Sequence, residues 1–176
     1  SPDMHDIISI DPGLNNPLGA LWFAVDYDGN IYVLAEHFEA GKDIKYHSTK
    51  LREISTKIGW KQDSNGFLRA IIDSAANQKT LGSLKSVAEL FYEHKIAVNT
   101  NVNKDMFTGI ARVKEYLIGE NGVPRVYIFK NCVNLIRELK SYWWGQGDTP
   151  KKTDDHLLDC LRYYIMTKPS LKEKKP

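Results

Sequence analysis

The chain has 176 residues, which is enough for one domain with a hydrophobic core and too few for two domains of ordinary size. Hydrophobic residues make up 42% and charged residues 26%, as in ordinary globular proteins, and no apolar run approaches the roughly 18 residues of a membrane span. Two cysteines are too few for a disulfide framework or a zinc cluster, which favours a reducing, intracellular setting.

The charges are unevenly distributed along the chain. Lys and Arg number 24 and Asp and Glu 22, for a net charge of +2. Residues 1–111 carry 11 basic and 14 acidic side chains, whereas residues 112–176 carry 13 and 8. A basic C-terminal third favours a polyanionic partner. An ordinary solvated surface with a Lys-rich tail would explain the same count equally well.

The first half of the chain is predicted to form three strands and a helix. Strands are predicted at residues 6–11, 19–26 and 30–38, where β-branched and aromatic residues cluster. The last two flank the hairpin turn D-Y-D-G-N, so the three strands should be antiparallel. Apolar residues at 3–4 spacing over residues 43–60 predict an amphipathic helix.

The second half alternates strands and helices. Strands are predicted at residues 68–73, 96–100 and 123–129, and helices at 84–94, through Ile110, Val113 and Leu117, at 132–144 and from Asp154 onward. This order predicts an α/β fold in which a mixed sheet, three antiparallel strands followed by parallel ones, is flanked by helices. The expected domain covers residues 1–168, and residues 169–176 are expected to be a basic, disordered tail.

Two of the predicted strands end in an aspartate. Asp11 and Asp73 each follow an apolar run directly. Ligands of α/β sheets gather beyond the carboxyl ends of the strands, so the two acids could face one site if their strands are neighbours. A single aspartate in such a position is more often a turn-forming residue.

The last predicted helix carries a further acid in an unusual place. In D-D-H-L-L-D, residues 154–159, the free N–H groups and the dipole of a helix start account for the first two acids. They do not account for Asp159, one turn beyond Asp155 on the same side, with His156 three residues before it. A solvated helix face is the simpler alternative. Oxygen ligands from two strands and a helix suit Mg²⁺ or Mn²⁺, and two such ions can hydrolyse phosphodiesters.

Three motifs resemble the nuclease domain of the large terminase subunit of tailed bacteriophages. They are I-D-P-G-L-N-N-P-L-G-A at the first strand, I-I-D-S-A at the fourth and K-K-T-D-D-H-L-L-D-C-L-R-Y near the C-terminus. The resemblance spans residues 6 to about 167 and implies the RNase H-like fold of that family. It also implies a metal-dependent endonuclease that cuts concatemeric viral DNA.

The resemblance assigns roles to individual residues. Asp11, Asp73 and Asp159 would be metal ligands, with Asp11 shared by two Mg²⁺ or Mn²⁺ ions. His156 would bind or orient at the second metal. Asp155 would be a further ligand, an outer partner or a plain helix-terminal charge.

The same resemblance implies partners and a location. The partners would be double-stranded viral DNA, an N-terminal ATPase motor, the small terminase subunit and the portal, in the host cell cytoplasm and away from membranes. No G-x-x-x-x-G-K-[ST] phosphate loop occurs in this chain, so the motor is not part of it. Basic residues are candidates for contacts with the DNA backbone, although each could be an ordinary surface charge: Lys104, Arg112, Lys114, Arg125, Lys130, Lys151 and Lys152. Nothing indicates base reading, so sequence preference should be weak.

Other functions remain open at this stage. RuvC-like Holliday-junction resolvases share the fold and also carry H-x-x-D on the last helix. A transposase or integrase core usually has Glu as its last acid. An actin-like or sugar-kinase-like nucleotide-binding lobe has a similar first loop but needs a duplicated fold. A non-catalytic docking module would not need four acids.

Overall fold

The computed structural model of the chain describes residues 1–13, 17–79, 85–144 and 155–167, apart from the side chains at 143 and 144. The six strands in these ranges are β1 (His5–Asp11), β2 (Leu18–Val25), β3 (Ile31–Glu39), β4 (Leu68–Ile72), β5 (Ile96–Asn99) and β6 (Val126–Ile128). The five α-helices in the same ranges are α1 (Ile44–Lys57), α2 (Val87–Glu93), α3 (Met106–Ile118), α4 (Val133–Trp144) and α5 (His156–Thr167). None of these helices is long and apolar enough to cross a membrane.

All six strands belong to one mixed sheet with the order β5-β4-β1-β2-β3-β6. Strands β1, β2 and β3 are antiparallel neighbours, whereas β4 runs parallel to β1, β5 to β4 and β6 to β3. The predicted α/β class and the mixed sheet are therefore confirmed. Because β1 and β4 are parallel neighbours, their carboxyl ends meet at one edge of the sheet.

Helices cover both faces of the sheet, and each face has its own hydrophobic core. Alternate side chains of β2 divide between them, with Trp22 on the face covered by α1 and α2 and Phe23 on the face covered by α3, α4 and α5. All eight residues of β2 are buried. The ring of Phe23 stacks on that of Tyr164 with centroids 3.9 Å apart, which holds α5 against the middle of the sheet.

The element boundaries follow local chemistry. The carboxylate of Asp43 accepts the N–H of Tyr46 and caps α1, which ends before Gly59, a glycine with a φ of 69°. The helix is thus shorter than the predicted 43–60. Strand β6 is also shorter than predicted, because Pro124 has no N–H to donate to a neighbouring strand. The loop before α5 and the predicted tail at 169–176 lie outside the described residues.

Candidate functional site

Two of the predicted acids leave the sheet side by side. Ile10 of β1 pairs with Ile72 of β4 in parallel register, so Asp11 and Asp73, the next residues along, emerge at the same edge. The side chain of Asp11 is 12% exposed and that of Asp73 is 17% exposed. Both carboxylates are therefore largely enclosed but open to solvent.

Helix α5 is held close to the first two strands by specific contacts. The hydroxyl of Ser9 donates to the carbonyl oxygen of Cys160 at 2.8 Å, and the thiol of Cys160 donates to the carbonyl oxygen of Gly19 at 3.4 Å. A Cβ on Gly19 would lie 3.1 Å from Leu157 Cδ2, so the absence of a side chain there permits the close approach. The first turns of α5 therefore lie over the end of β1 and the start of β2.

This position brings His156 to Asp11. The distance between His156 Nδ1 and Asp11 Oδ2 is 3.0 Å. The hydrogen bond to Asp11 raises the pKa of His156 against the effect of burial, and the negative charges of Asp155 and Glu138 add to the rise. The imidazole therefore takes up a second proton more readily than an isolated histidine does.

One turn further along α5, Asp159 lies against Arg162. The distance from Arg162 Nη2 to Asp159 Oδ1 is 3.2 Å. Burial, together with the negative charges of Asp155 and Asp11, raises the pKa of Asp159 to about 6 in spite of Arg162. Asp155 and Asp159 also line one small cavity with Met106 of α3. The acids of α5 thus lie close enough to one another and to Asp11 for mutual repulsion.

Asp73 has several donors. Its Oδ1 is 2.9 Å from Lys104 Nζ and accepts the N–H of Ala75 at 3.0 Å, while Oδ2 accepts the hydroxyl of Tyr163 at 3.2 Å. Burial alone would raise the pKa of Asp73, but the hydrogen bond from Ala75 and the charge of Lys104 hold it below its usual value. Asp73 is thus ionised, and the ammonium group of Lys104 already balances its negative charge.

Tyr163 is the common neighbour of all three acids. Its pKa is raised first by burial and then by the negative charges of Asp159, Asp11 and Asp73. The hydroxyl of Tyr163 thus contacts Asp73, and the charges of Asp159 and Asp11 also act on it. The roles of Asp11, Asp73 and Asp159 as metal ligands stay predictions.

The carboxylates of Asp11, Asp73 and Asp159 are chemically suited to a hard divalent cation, because carboxylate oxygens are the ligands that Mg²⁺ and Mn²⁺ prefer. The described residues nevertheless contain no group of three or more His, Cys, Asp or Glu side chains close enough to hold a metal ion as they stand. Each of the three central carboxylates instead pairs with a positive or ionisable group of the protein, namely His156, Arg162 or Lys104. A bound cation would have to replace at least part of this internal positive charge.

Sequence reasoning missed Glu138 of α4. Its Oε1 accepts the N–H groups of Leu157 and Leu158 at 3.0 and 3.1 Å, so it satisfies the free donors at the start of α5. Glu138 is 2% exposed, and burial raises its pKa to about 7. The signal was present in the sequence, because Glu138 falls between Leu135 and Leu139 on the apolar face of a predicted helix.

Tyr163 and Arg162 were missed for a different reason. The helical wheel of α5 suggests one apolar stripe with the acids on the opposite half, whereas Cys160, Arg162 and Tyr163 are buried as well. Packing between α3, α4 and the sheet encloses nearly the whole circumference of α5. Arg162 and Tyr163 are therefore buried beside the carboxylates that they contact, Asp159 and Asp73.

The candidates for DNA contact are widely separated. Of those in the described ranges, Lys104 is the one whose ammonium group reaches a predicted metal ligand. Lys114 and Arg125 line a surface cavity of about 510 Å³ toward the C-terminal end of α3, away from the carboxylates. Lys151, Lys152 and Asp154 lie outside the described residues. The roles of these residues, and those of Arg112 and Lys130, stay predictions.

Comparisons with known proteins agree with this architecture. A family model described as the terminase RNaseH-like domain matches residues 8–168. The nuclease domain of the P22 large terminase superposes with a TM-score of 0.70 at 15% identity, covering 100% of this chain and 89% of that one. The large terminase of the thermophilic bacteriophage D6E superposes with a TM-score of 0.63 at 21% identity, covering 90% of this chain and 38% of that one.

A third structure, the g2p (large terminase) nuclease domain from the bacteriophage SPP1 with bound Mn, has a TM-score of 0.60 and 20% identity, covering 90% of this chain and 84% of that one. At these identities the likenesses establish a common fold. The chain thus spans little more than a third of the length of the D6E protein. No protein with a curated function matches the chain in sequence.

Proposed function

We propose that this chain, which belongs to the terminase RNase H-like domain family, is a metal-dependent DNA endonuclease that cuts concatemeric viral DNA during packaging. The observation that supports the proposal is that Asp11 and Asp73 follow paired positions of two parallel strands, with His156 of α5 3.0 Å from Asp11 and Tyr163 of α5 3.2 Å from Asp73. The family match supports the assignment to a terminase. The bound Mn of the SPP1 nuclease domain supports a divalent cation.

Asp11, Asp73 and Asp159 would hold two Mg²⁺ or Mn²⁺ ions, and Asp155 is the remaining candidate ligand. When bound, the ions would supply an activated water and a positive charge for the leaving oxygen of a phosphodiester. The carboxylates provide the negative charge that holds the cations. His156 would orient Asp11 through Nδ1, and Arg162 would orient Asp159.

The rest of the proposal concerns the setting in which the domain works. Its substrate is double-stranded viral DNA, held through its phosphates by basic side chains. In the full-length protein an N-terminal ATPase motor would deliver the DNA, with the small terminase subunit and the portal as further partners in the host cell cytoplasm. The match to only 38% of the D6E large terminase is consistent with such a larger protein.

Plasmid cleavage tests the proposal. The purified chain should nick or linearise supercoiled plasmid with Mn²⁺ or Mg²⁺ and should be inactive in excess EDTA. Asp11→Asn should abolish cleavage, since an amide is a far poorer ligand than a carboxylate. Asp28→Asn is the matched control, because Asp28 is an exposed carboxylate in the β2–β3 turn. Cleavage that persists in EDTA would contradict the metal dependence, and a strong preference for four-way junctions would favour a resolvase instead.

A further inference from the structure

The ion pair between Lys104 and Asp73 lies at the mouth of the site. Lys104 Nζ is 2.9 Å from Asp73 Oδ1, and the lysine side chain is 45% exposed whereas the aspartate side chain is 17% exposed. The ammonium group thus reaches inward to a largely enclosed carboxylate while much of its stem is in solvent.

The other donors to Asp73 belong to its own surroundings. Ala75 donates a backbone N–H and Ser74 a hydroxyl from the turn that follows β4, and Tyr163 donates a hydroxyl from α5. Of the donors described on Asp73, only Lys104 carries a full positive charge. A divalent cation and the ammonium group therefore compete for the same negative charge.

The backbone of Lys104 is fixed, although its side chain is long and flexible. Arg162 Nη1 donates to the carbonyl oxygen of Lys104 at 3.0 Å, and the next residue, Asp105, caps α3 by accepting the N–H of Thr108. The four-carbon stem lets the ammonium group move while its anchor stays in place. Lys104 can thus change partners without any change in the fold.

We propose that Lys104 has two successive partners, Asp73 in the cation-free protein and a DNA phosphate once a divalent cation neutralises Asp73. The inference rests on the proposed function and deepens it. Coupling between the two sites is reciprocal: DNA that draws Lys104 away raises the affinity for the cation, and the cation raises the affinity for DNA. The pairing thus disfavours metal loading in the absence of DNA.

Mn²⁺ binding without DNA tests the first half of the inference. Isothermal titration at neutral pH should show that Lys104→Met binds Mn²⁺ roughly tenfold more tightly than the wild-type chain, since a competing unit charge is gone. Lys104→Arg keeps the charge and should resemble the wild type. Lys114→Met makes the same change in net charge on α3, away from the carboxylates, and should also resemble the wild type.

The outcomes separate this inference from the proposed function. Equal Mn²⁺ affinity of Lys104→Met and the wild type would show that Lys104 does not compete with the divalent cation for Asp73, which would overturn the inference. Mn²⁺ binding by the wild type that is lost in Asp73→Asn supports the proposed function whichever way Lys104→Met behaves. No Mn²⁺ binding by either the wild type or Lys104→Met would overturn both.

The salt dependence of DNA binding tests the second half. A phosphate contact contributes about 0.9 to the slope of log affinity against log salt concentration. In EDTA, where Lys104 pairs with Asp73, the wild type and Lys104→Met should have equal slopes. With Ca²⁺ in place of Mn²⁺, the slope of the wild type should be steeper than that of Lys104→Met by about 0.9. A slope difference that is the same in EDTA and in Ca²⁺ would overturn the exchange of partners.

Discussion

The carboxylate of Glu138 on α4 accepts the backbone N–H of Leu157 in the first turn of α5, with an oxygen-to-nitrogen distance of 3.0 Å. The same oxygen accepts the N–H of Leu158 at 3.1 Å. One buried side chain therefore fixes the start of the helix that carries His156 and Asp159. The position of the candidate metal ligands on α5 depends on a residue that we do not propose as a ligand.

We expect Glu138→Ala to lower the free energy of unfolding by roughly 2 kcal/mol, because two enclosed N–H groups lose their acceptor. Glu138→Gln keeps a carbonyl oxygen as the acceptor and should lose less. Urea denaturation measures both changes, and hydrogen exchange at Leu157 and Leu158 should accelerate in the alanine variant alone. Equal losses in the two variants would show that the charge, rather than the acceptor, holds the helix.

Asp159 should make stability depend on pH. Its pKa is raised from 3.8 to about 6 in the folded, metal-free protein, so its contribution to stability is complete below about pH 4. As the pH rises toward 6, the unfolded chain loses its proton first and that stability is lost. Asp159→Asn does not titrate and keeps an oxygen for Arg162. In EDTA, the melting temperature of the variant should therefore rise relative to that of the wild type as the pH increases from about 4 to 6.

Melting temperatures measured from pH 4 to 8 check this expectation. The difference between Asp159→Asn and the wild type should grow across the window and then level off. Asp28→Asn, an exposed carboxylate in a turn, serves as the control. A constant difference between Asp159→Asn and the wild type at all pH values would show that Asp159 titrates normally.

Gly109 controls the packing of α3 against α5. A Cβ at this position would lie 2.7 Å from Arg162 Cγ and 2.9 Å from Cδ, and Arg162 is 4% exposed, so the stem of the arginine has little room to move. Alanine would ordinarily favour a helix over glycine by about 1 kcal/mol. We expect the clash, about 1–3 kcal/mol for an overpacked core, to outweigh that gain.

The net result of Gly109→Ala should be a lower melting temperature, because the stem of Arg162 would be displaced from its place beside Asp159. Ala111→Gly, at an exposed position of the same helix, reports the effect of helix propensity alone. A Gly109→Ala protein that is more stable than the wild type would mean that Arg162 can move aside freely.

Cleavage rates should distinguish the roles of Asp159 and Asp155, the two acids at the start of α5. Asp159→Asn should abolish cleavage while the fold is kept, because Asp159 is a proposed ligand. Asp155→Asn should retain part of the activity, since Asp155 lies at the helix start, where its charge is favourable without any metal. Plasmid cleavage rates with Mn²⁺ measure both. Complete loss in both variants would mean that Asp155 is a ligand of equal importance.

Much of the fold could be predicted because each element carries a local signal. A continuous apolar run marks β2, alternate residues of β3 are buried, the D-Y-D-G-N turn joins the two strands, and Asp43 and Ser86 mark the starts of α1 and α2. The errors lie at element ends. Residues 123–129 appear continuous in the sequence, but a proline and a turn shorten the strand to β6.

The candidate site was predictable where its residues break a local pattern. Asp11 and Asp73 end apolar strands, and Asp159 interrupts an apolar helix. The partners of these acids could not be predicted in the same way. Lys104 pairs with Asp73 only because β4, β5 and the segment before α3 pack together, and no local pattern encodes that contact.

The most direct test of the account is the location of bound Mn²⁺ in a crystal of this chain. Anomalous scattering from crystals soaked in Mn²⁺ should give peaks at the edge of the sheet where β1 and β4 end. Carboxylate oxygens of Asp11, Asp73 and Asp159 should be the protein ligands, and Lys104 should have left Asp73. Peaks elsewhere, or crystals that bind no Mn²⁺ at this edge, would contradict the proposal that these three acids form a metal centre.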